Sequence, residues 1–267
     1  VHHKRMYGPY GKNGLPVPSD LVGNSYMIEG FRSDIFVADE KRLYLGQQAF
    51  EPDLSPVKPQ DVKQPHLIPS YGFLEAIPHH RSFWTIDTSL YFDIPTGRGG
   101  IHGDILAIDG NRFYEVRGYT PHRNQFFDPR QKGYTLYAGT FGPYDPPKKN
   151  QLSTWLRNWK KNSDPSGIAP SKKLWASNIP LTGKAIALAG DIVFVAGTPV
   201  VFPEGDLGKA YEGRMGGVLW AASASTGEKL AQYTLDAPPT WDGLAAAGGK
   251  LYLTTKDGKI ICFGHKQ

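Results

Sequence analysis

The chain has 267 residues and a formal net charge of +5, which is enough polypeptide to bury a substantial core. Its 31 glycines, 22 prolines and 12% aromatic residues indicate many short strands joined by turns, and they exclude a disordered or collagen-like chain. No stretch approaches the roughly 18 uninterrupted apolar residues of a membrane-spanning helix. The basic residues are dispersed among 25 acidic ones. We therefore expect no transmembrane segment and no nucleic-acid binding.

Two segments of the chain repeat one pattern without a gap. DIFVADEKRLY (34–44) aligns with DILAIDGNRFY (104–114), and each has a short apolar run before a tight turn and an aromatic run after it. Weaker copies cover residues 184–194 and 242–252. Since apolar runs that flank a turn are typical of paired strands, each copy is predicted to be a β-hairpin. Its second strand is expected to bury one aromatic residue at an equivalent place: Tyr44, Tyr114, Phe194 and Tyr252.

A second pair of strands follows each hairpin, most clearly at 218–221 and 229–233 around an STGE turn. Four-stranded repeats that stack radially form a β-propeller, so the sequence predicts an all-β propeller with about four blades in residues 34–267. The repeats are spaced more widely than compact propeller repeats. This spacing predicts two long insertions rich in proline and glycine, at about 51–102 and 120–171.

The last repeat is predicted to lack its fourth strand, because the chain ends shortly after IICF (260–263). Residues 1–33 are predicted to be an N-terminal extension, in which NSYMIEGF (24–31) is able to supply that strand and close a ring. Alternatively, the missing strand and further blades belong to a preceding polypeptide. The first residue, Val1 rather than methionine, fits the removal of a leader or of a longer N-terminal part.

The closing repeats resemble a known family. LWAASASTGEKL (219–230), WDGLAAAGGKLY (241–252) and DGKIICFG (257–264) are similar to the last blades of quinoprotein-like (PQQ-binding-like) β-propeller proteins. PHLIPSYGFL (65–74) and HRSFW (80–84) resemble a segment of large extracytoplasmic propellers of planctomycete-type bacteria. The resemblance implies a secreted or periplasmic chain that forms the C-terminal portion of a seven- or eight-bladed propeller. The remaining blades would then lie on another chain.

The resemblance does not carry the PQQ cofactor with it. Cofactor-binding members have a blade motif of Ala, Asp, Thr-Gly and Trp. Here Ala221, Thr226 and Gly227 fit that motif, whereas Ser223 and Ala231 occupy the Asp and Trp places. The adjacent-cysteine disulfide of those members is excluded by the single cysteine, and no residues can be assigned to their calcium. We predict no cofactor, with the Trp and Thr-Gly positions holding neighbouring blades together.

The first insertion is rich in side chains able to do chemistry. Imidazole, phenol and guanidinium groups together can bind an anionic sugar and abstract a proton next to its carboxylate, which is the step of a polysaccharide lyase. In this hypothesis His80 or Tyr71 accepts the proton, Arg81 pairs with the ligand carboxylate, and Trp84 stacks on a sugar ring near His66. The alternative is that His66 and His80 only hydrogen-bond a proline-rich loop. The histidine spacings match no zinc signature, so no metal is predicted.

Three acidic residues, Asp34, Asp104 and Asp242, occupy the same place in three repeats, just before the first strand of each hairpin. A propeller would bring them to one end of its central channel, where carboxylates can hold a cation or a sugar. The alternative, which we favour from the sequence, is that each aspartate caps its own turn.

Two classes of function are open from the sequence. The first, which we favour, is a binding or scaffold module that recognises carbohydrate through its insertion loops and performs no chemistry. The second is an enzyme, either a propeller-type polysaccharide lyase or a degenerate quinoprotein oxidoreductase. Analogy at the level of the fold does not choose between them, because propellers host many unrelated functions.

Overall fold

The computed structural model describes nine stretches of the chain: 35–45, 48–57, 61–62, 64–69, 84–87, 101–118, 134–142, 172–200 and 205–264. This part is all-β apart from one short helix, and none of its helical residues form a segment that could cross a bilayer. The chain divides into two compact units. One comprises Val1–His102 and Gly142–Pro170, and the other comprises Gly103–Phe141 and Ser171–Gln267.

The first unit contains two three-stranded sheets. One has the order β1-β2-β3, with the bounds Phe36–Ala38, Leu43–Leu45 and Gln48–Phe50. The other has the order β4-β5-β6, with the bounds His66–Pro69, Trp84–Asp87 and Ile101–Gly103. The range predicted as the first long insertion therefore contributes a sheet of its own as well as connections.

The second unit contains three antiparallel sheets in which each strand pairs with the next along the chain. The first has the strands β7–β10, at Ile105–Asp109, Arg112–Arg117, Tyr134–Thr140 and Lys172–Ile179. The second has the strands β11–β14, at Ala185–Ala189, Ile192–Gly197, Gly217–Ser223 and Lys229–Leu235. The third, within the described ranges, has the strands β15–β17, at Pro239–Ala247, Lys250–Thr255 and Ile260–Phe263. A helix, α1, lies between β12 and β13 at Leu207–Tyr211.

These sheets confirm the predicted hairpins and change one boundary. In every copy the aromatic residue pairs with the residue seven positions before it: Val37 with Tyr44, Ala107 with Tyr114, Ala187 with Phe194, and Ala245 with Tyr252. Among the described residues the last sheet has three strands. The range 120–171, predicted as a single insertion, contains the strand β9, because the third strand of that repeat follows a long connection.

The four aromatic residues are not equally buried. Tyr44 and Tyr114 are buried, whereas Phe194 and Tyr252 are only half-buried. The expectation of four equivalent buried places is therefore wrong for the last two copies. At Tyr252 the reason is that the sheet face carrying this residue has no further sheet packed on it in the described part of the chain.

The sheets of the second unit pack face to face in one repeated way. Side chains alternate along a strand, so each hairpin sheet has an aromatic face, which carries its repeat Tyr or Phe, and an opposite aliphatic face. The aromatic face of β7–β10 packs on the sheet β11–β14, where Gly183 approaches Ile105 and Val116. The aromatic face of β11–β14 packs on the aliphatic face of β15–β17. The buried residues of this second contact are Ala185, Ala196, Leu219, Leu235, Leu244, Leu251 and Leu253.

Candidate functional site

Two of the five residues predicted for the insertion site lie in the described part of the chain. His66 is the first residue of β4 and Trp84 the first residue of β5, and both side chains are buried. The register pairs His66 with Asp87 and Trp84 with Pro69. Because side chains alternate along a strand, this register places His66 and Trp84 on opposite faces of their sheet. The structure therefore does not bring these two side chains together.

The other three predicted site residues, Tyr71, His80 and Arg81, lie outside the described residues. The same holds for Asp34 and for the segment 24–31. The roles assigned to all of them stay predictions. Within the described ranges, no three His, Cys, Asp or Glu side chains are grouped as a metal ion would require.

His66 packs against a hydrogen-bonded turn in the first unit. Its ring is stacked on Tyr44, with the centroids 3.9 Å apart and an interplanar angle of 16°. The Tyr44 hydroxyl donates to Asp39 Oδ2 at 2.7 Å, and Asp39 Oδ1 accepts from the N–H groups of Lys41 and Arg42 at 2.8 Å. Burial raises the pKa of Asp39, but these hydrogen bonds outweigh it and lower that pKa overall. Burial and the Asp39 contact raise the pKa of Tyr44. The Asp39 carboxylate is therefore ionised and the Tyr44 hydroxyl keeps its proton, so this hydrogen bond serves to hold the turn in place.

Charged side chains gather in the second unit where the inner strands begin. Asp104 directly precedes β7, Lys184 directly precedes β11, and Asp242 lies in β15. Since β11 contacts both β7 and β15, these equivalent repeat positions come to one end of the unit. The Lys184 Nζ lies 5.3 Å from the centroid of the Trp241 ring, and Lys256 acts on Lys184 electrostatically. We call these five residues the inner-strand cluster.

A bulge in β15 places Asp242 next to the neighbouring inner strand. The register of β15 shifts between Pro239 and Leu244, and Asp242 has a φ of 53°, in the left-handed region. Bulges redirect the backbone and often lie beside functional sites. Here the redirected Asp242 N–H donates to the carbonyl oxygen of Lys184 at 2.8 Å. The cluster is therefore tied together through its backbone as well as its charges.

The cluster combines amines with carboxyl groups that resist ionisation. Burial raises the pKa of Asp104 to about 7, although Lys184 opposes the shift. Desolvation by neighbouring groups also raises the pKa of Asp242, although part of this residue remains exposed. Burial lowers the pKa of Lys184; Asp104 opposes this shift and Lys256 adds to it. An anion bound beside Lys184 would offset both the cost of enclosing the ammonium and its repulsion from Lys256.

The sequence left two interpretations of these aspartates open and favoured turn capping over a ring of carboxylates; the structure brings Asp104 and Asp242 to one end of the unit together with Lys184. Lys184 stands where the other copies have aspartate, and aligning the copies was enough to show this. Trp241 and Lys256 had no such signal, because they reach the cluster only through the packing of β15 and β16 on the preceding sheet. Asp242 and Lys256 are exposed, whereas Asp104, Lys184 and Trp241 are half-buried, so the cluster is reachable by a ligand from solvent.

The Thr-Gly turn predicted to hold neighbouring sheets together makes such contacts. The indole N–H of Trp175 in β10 donates to the carbonyl oxygen of Ala224 at 2.9 Å. The Ser177 hydroxyl donates to the carbonyl oxygen of Gly227 at 2.9 Å. A side chain at Gly227 would overlap the Trp175 ring, so glycine permits the close approach. The turn that contains Thr226 therefore receives a tryptophan from the preceding sheet.

Comparisons with known proteins add no family and only a weak structural likeness. No protein-family model matches the sequence, and no curated protein matches it. The chain is similar to the crystal structure of the computationally designed Ika4 protein, with a TM-score of 0.37 and 9% identity over 89% of this chain and 95% of that one. For the designed Ika8 protein the TM-score is 0.35 and the identity 11%, over 89% and 73%. A likeness at these TM-scores carries no argument about fold or function.

Proposed function

We propose that this chain is a quinoprotein-like β-propeller module that binds an acidic carbohydrate at its inner-strand cluster, without catalysis and without PQQ. The observation that carries the proposal is the Lys184 amine, which interacts electrostatically with the Asp104 carboxyl and lies over the Trp241 ring, while the Lys184 backbone is hydrogen-bonded to Asp242. A uronic acid offers a carboxylate to the amine and hydroxyl groups to the two carboxyls. Its apolar ring face suits the nearby indole of Trp241.

The packing of the second unit supports the propeller part of the proposal. Radially stacked blades require inner strands that neighbour one another and faces that pack in the same order from sheet to sheet. The strands β7, β11 and β15 neighbour one another in this way, and aromatic faces pack on the following sheets. Further blades on another chain, and a secreted or periplasmic location, are part of the proposal through the family resemblance.

Ser223, which stands where the cofactor-binding motif has aspartate, supports the part of the proposal that excludes PQQ. The Ser223 hydroxyl accepts from the N–H of Thr226 at 3.3 Å and contacts the Ser225 hydroxyl at 3.0 Å. This side chain is engaged in its own turn. The lyase alternative depends on His80 and Tyr71, which lie outside the described residues.

Calorimetric titration with an oligogalacturonate, and with a neutral gluco-oligosaccharide of equal length, tests the proposed function. We expect the acidic ligand alone to bind, and Lys184→Gln to weaken its binding about tenfold or more, because a charge-assisted hydrogen bond contributes roughly 1.5–3 kcal/mol. Lys209→Gln is the matched control, since Lys209 is exposed on α1 and pairs with Asp206. Equal affinities of Lys184→Gln and the native chain, or no binding of the acidic ligand, would contradict the proposal.

The affinity for the acidic ligand is expected to fall as the pH rises through neutrality. Asp104 has a pKa of about 7, so above that pH its carboxylate is charged and competes with the ligand for Lys184. We expect binding to be up to about tenfold tighter at pH about 6 than at pH about 8. Asp104→Asn should flatten this profile, whereas Asp109→Asn, an exposed residue at the other end of β7, should retain it. The same slope in Asp104→Asn as in the native chain would argue against this site.

A further inference from the structure

The aromatic face of β15–β17 carries mostly apolar side chains, with Lys250 at the start of β16, and no sheet packs on it in the described part of the chain. Tyr252 pairs with Ala245 and Cys262, and Thr254 pairs with Ile260, so these five side chains share one face. Ala245 and Cys262 are exposed, and Ile260 is 72% exposed. Paired across neighbouring strands, Ile260, Ala245, Cys262 and Tyr252 form a contiguous apolar patch, and such patches mark interaction surfaces.

The aromatic face of the preceding sheet, β11–β14, shows which kind of contact the aromatic face of β15–β17 can make. Thr254 and Ile260 correspond to Ala196 and Leu219, which pair in the same way in β11–β14. Leu219 is 1% exposed, because the aliphatic face of β15–β17 packs on it. The same position is therefore a buried contact in one sheet and an open surface in the next.

The complementary type of face is partly open in the sheet β1–β3, where Phe50 on that face is buried. Its aliphatic face lies opposite Tyr44 and includes Phe36, which is 51% exposed, and the half-buried Leu43 and Leu45. These three residues occupy the repeat positions of the leucines that pack on the aromatic face of β11–β14. Those leucines are Leu244, Leu251 and Leu253. One chain thus displays exposed apolar residues on one face of each kind.

We propose that the aromatic face of β15–β17 is a docking surface for the aliphatic face of β1–β3 of a second copy of this chain. The contact would continue the face-to-face order that already joins β7–β10 to β11–β14 and β11–β14 to β15–β17. Because the two surfaces differ, the contact is heterologous: each copy offers one face and receives the other. This inference goes beyond the proposed ligand binding and does not depend on it.

Sedimentation equilibrium over a wide range of concentrations tests the proposal. The native chain should associate as its concentration rises, and Ile260→Lys and Phe36→Lys should each weaken association at least tenfold, because a lysine would have to be buried against an apolar sheet. Both side chains are exposed, so neither change should alter the thermal unfolding temperature of the monomer. Met215→Lys is the control, since Met215 is exposed in the turn after α1, away from both faces.

Mixing the two variants distinguishes a heterologous contact from nonspecific stickiness. A copy with Ile260→Lys keeps an intact β1–β3 face, and a copy with Phe36→Lys keeps an intact β15–β17 face. An equimolar mixture should therefore form a one-to-one dimer that grows no further, with native-like affinity, although each variant alone associates at least tenfold more weakly. In the native assembly, alkylation of Cys262 should slow as the associated fraction increases.

Three results would overturn the proposal. They are a native chain that stays monomeric at every concentration, association that is unchanged by Ile260→Lys and Phe36→Lys, and a mixture that fails to form the one-to-one dimer while the native chain associates.

Discussion

Trp175→Ala is expected to lower the free energy of unfolding by about 3–5 kcal/mol, as for other buried tryptophans replaced by alanine. The indole fills the junction between β7–β10 and β11–β14, and its ring lies 6.2 Å from that of Tyr114. Truncation leaves a cavity there and removes the donor to the carbonyl oxygen of Ala224. Denaturant unfolding followed by circular dichroism measures the loss.

Two variants separate the sources of this effect. Trp175→Phe keeps most of the ring and loses the indole N–H, so it should cost only about 1–2 kcal/mol. Leu174→Ala changes the neighbouring residue, which is 43% exposed, and should cost less than about 0.5 kcal/mol. If Trp175→Ala unfolded at the same denaturant concentration as Leu174→Ala, Trp175 would not hold the two sheets together.

The role of Trp175 was not predictable from the sequence, whereas the hairpins were. A hairpin is local, so a pattern of apolar runs around a short turn is enough to place Tyr114 opposite Ala107. Trp175 lies in the fourth strand of its repeat, and long connections separate β8 from β9 and β9 from β10. With the third strand hidden inside a presumed insertion, the repeat could not be aligned as far as this tryptophan.

The candidate site shows the same division between local and non-local information. Asp104 and Lys184 could be placed together from the repeat alone, because equivalent positions of stacked hairpins meet at one end. The position of Trp241 beside Lys184 depends on a bulge in β15, and no sequence pattern indicated that bulge. His66 and Trp84 lie on opposite faces of their sheet because of the register between β4 and β5, which are distant in sequence. A shift of one residue in that register would place both side chains on the same face.

A second large effect is expected at Gly183, which lies at the contact between the first two sheets of the second unit. A Cβ built on this residue would lie 2.8 Å from Val116 Cβ and 2.9 Å from Ile105 Cγ2. Val116 and Ile105 are buried and β-branched, so their side chains have little freedom to move aside. We expect Gly183→Ala to cost about 1–2 kcal/mol and Gly183→Val about 3 kcal/mol, in the order of added volume. Gly208→Ala, in the exposed helix α1, should be neutral or stabilising by up to about 1 kcal/mol.

The change at Gly183 also links the packing of the sheets to the candidate site. Gly183 directly precedes Lys184, so a backbone displaced by the new Cβ would move the amine relative to Asp104 and Trp241. Gly183→Ala should therefore weaken the binding of an acidic oligosaccharide as well as lowering stability. Trp175→Phe should lower stability by a similar amount without changing the affinity, because β10 is the outermost strand of its sheet and β7 the strand next to the cluster. Equal losses of affinity in the two variants would show that binding follows global stability, and the cluster would then not be the binding site.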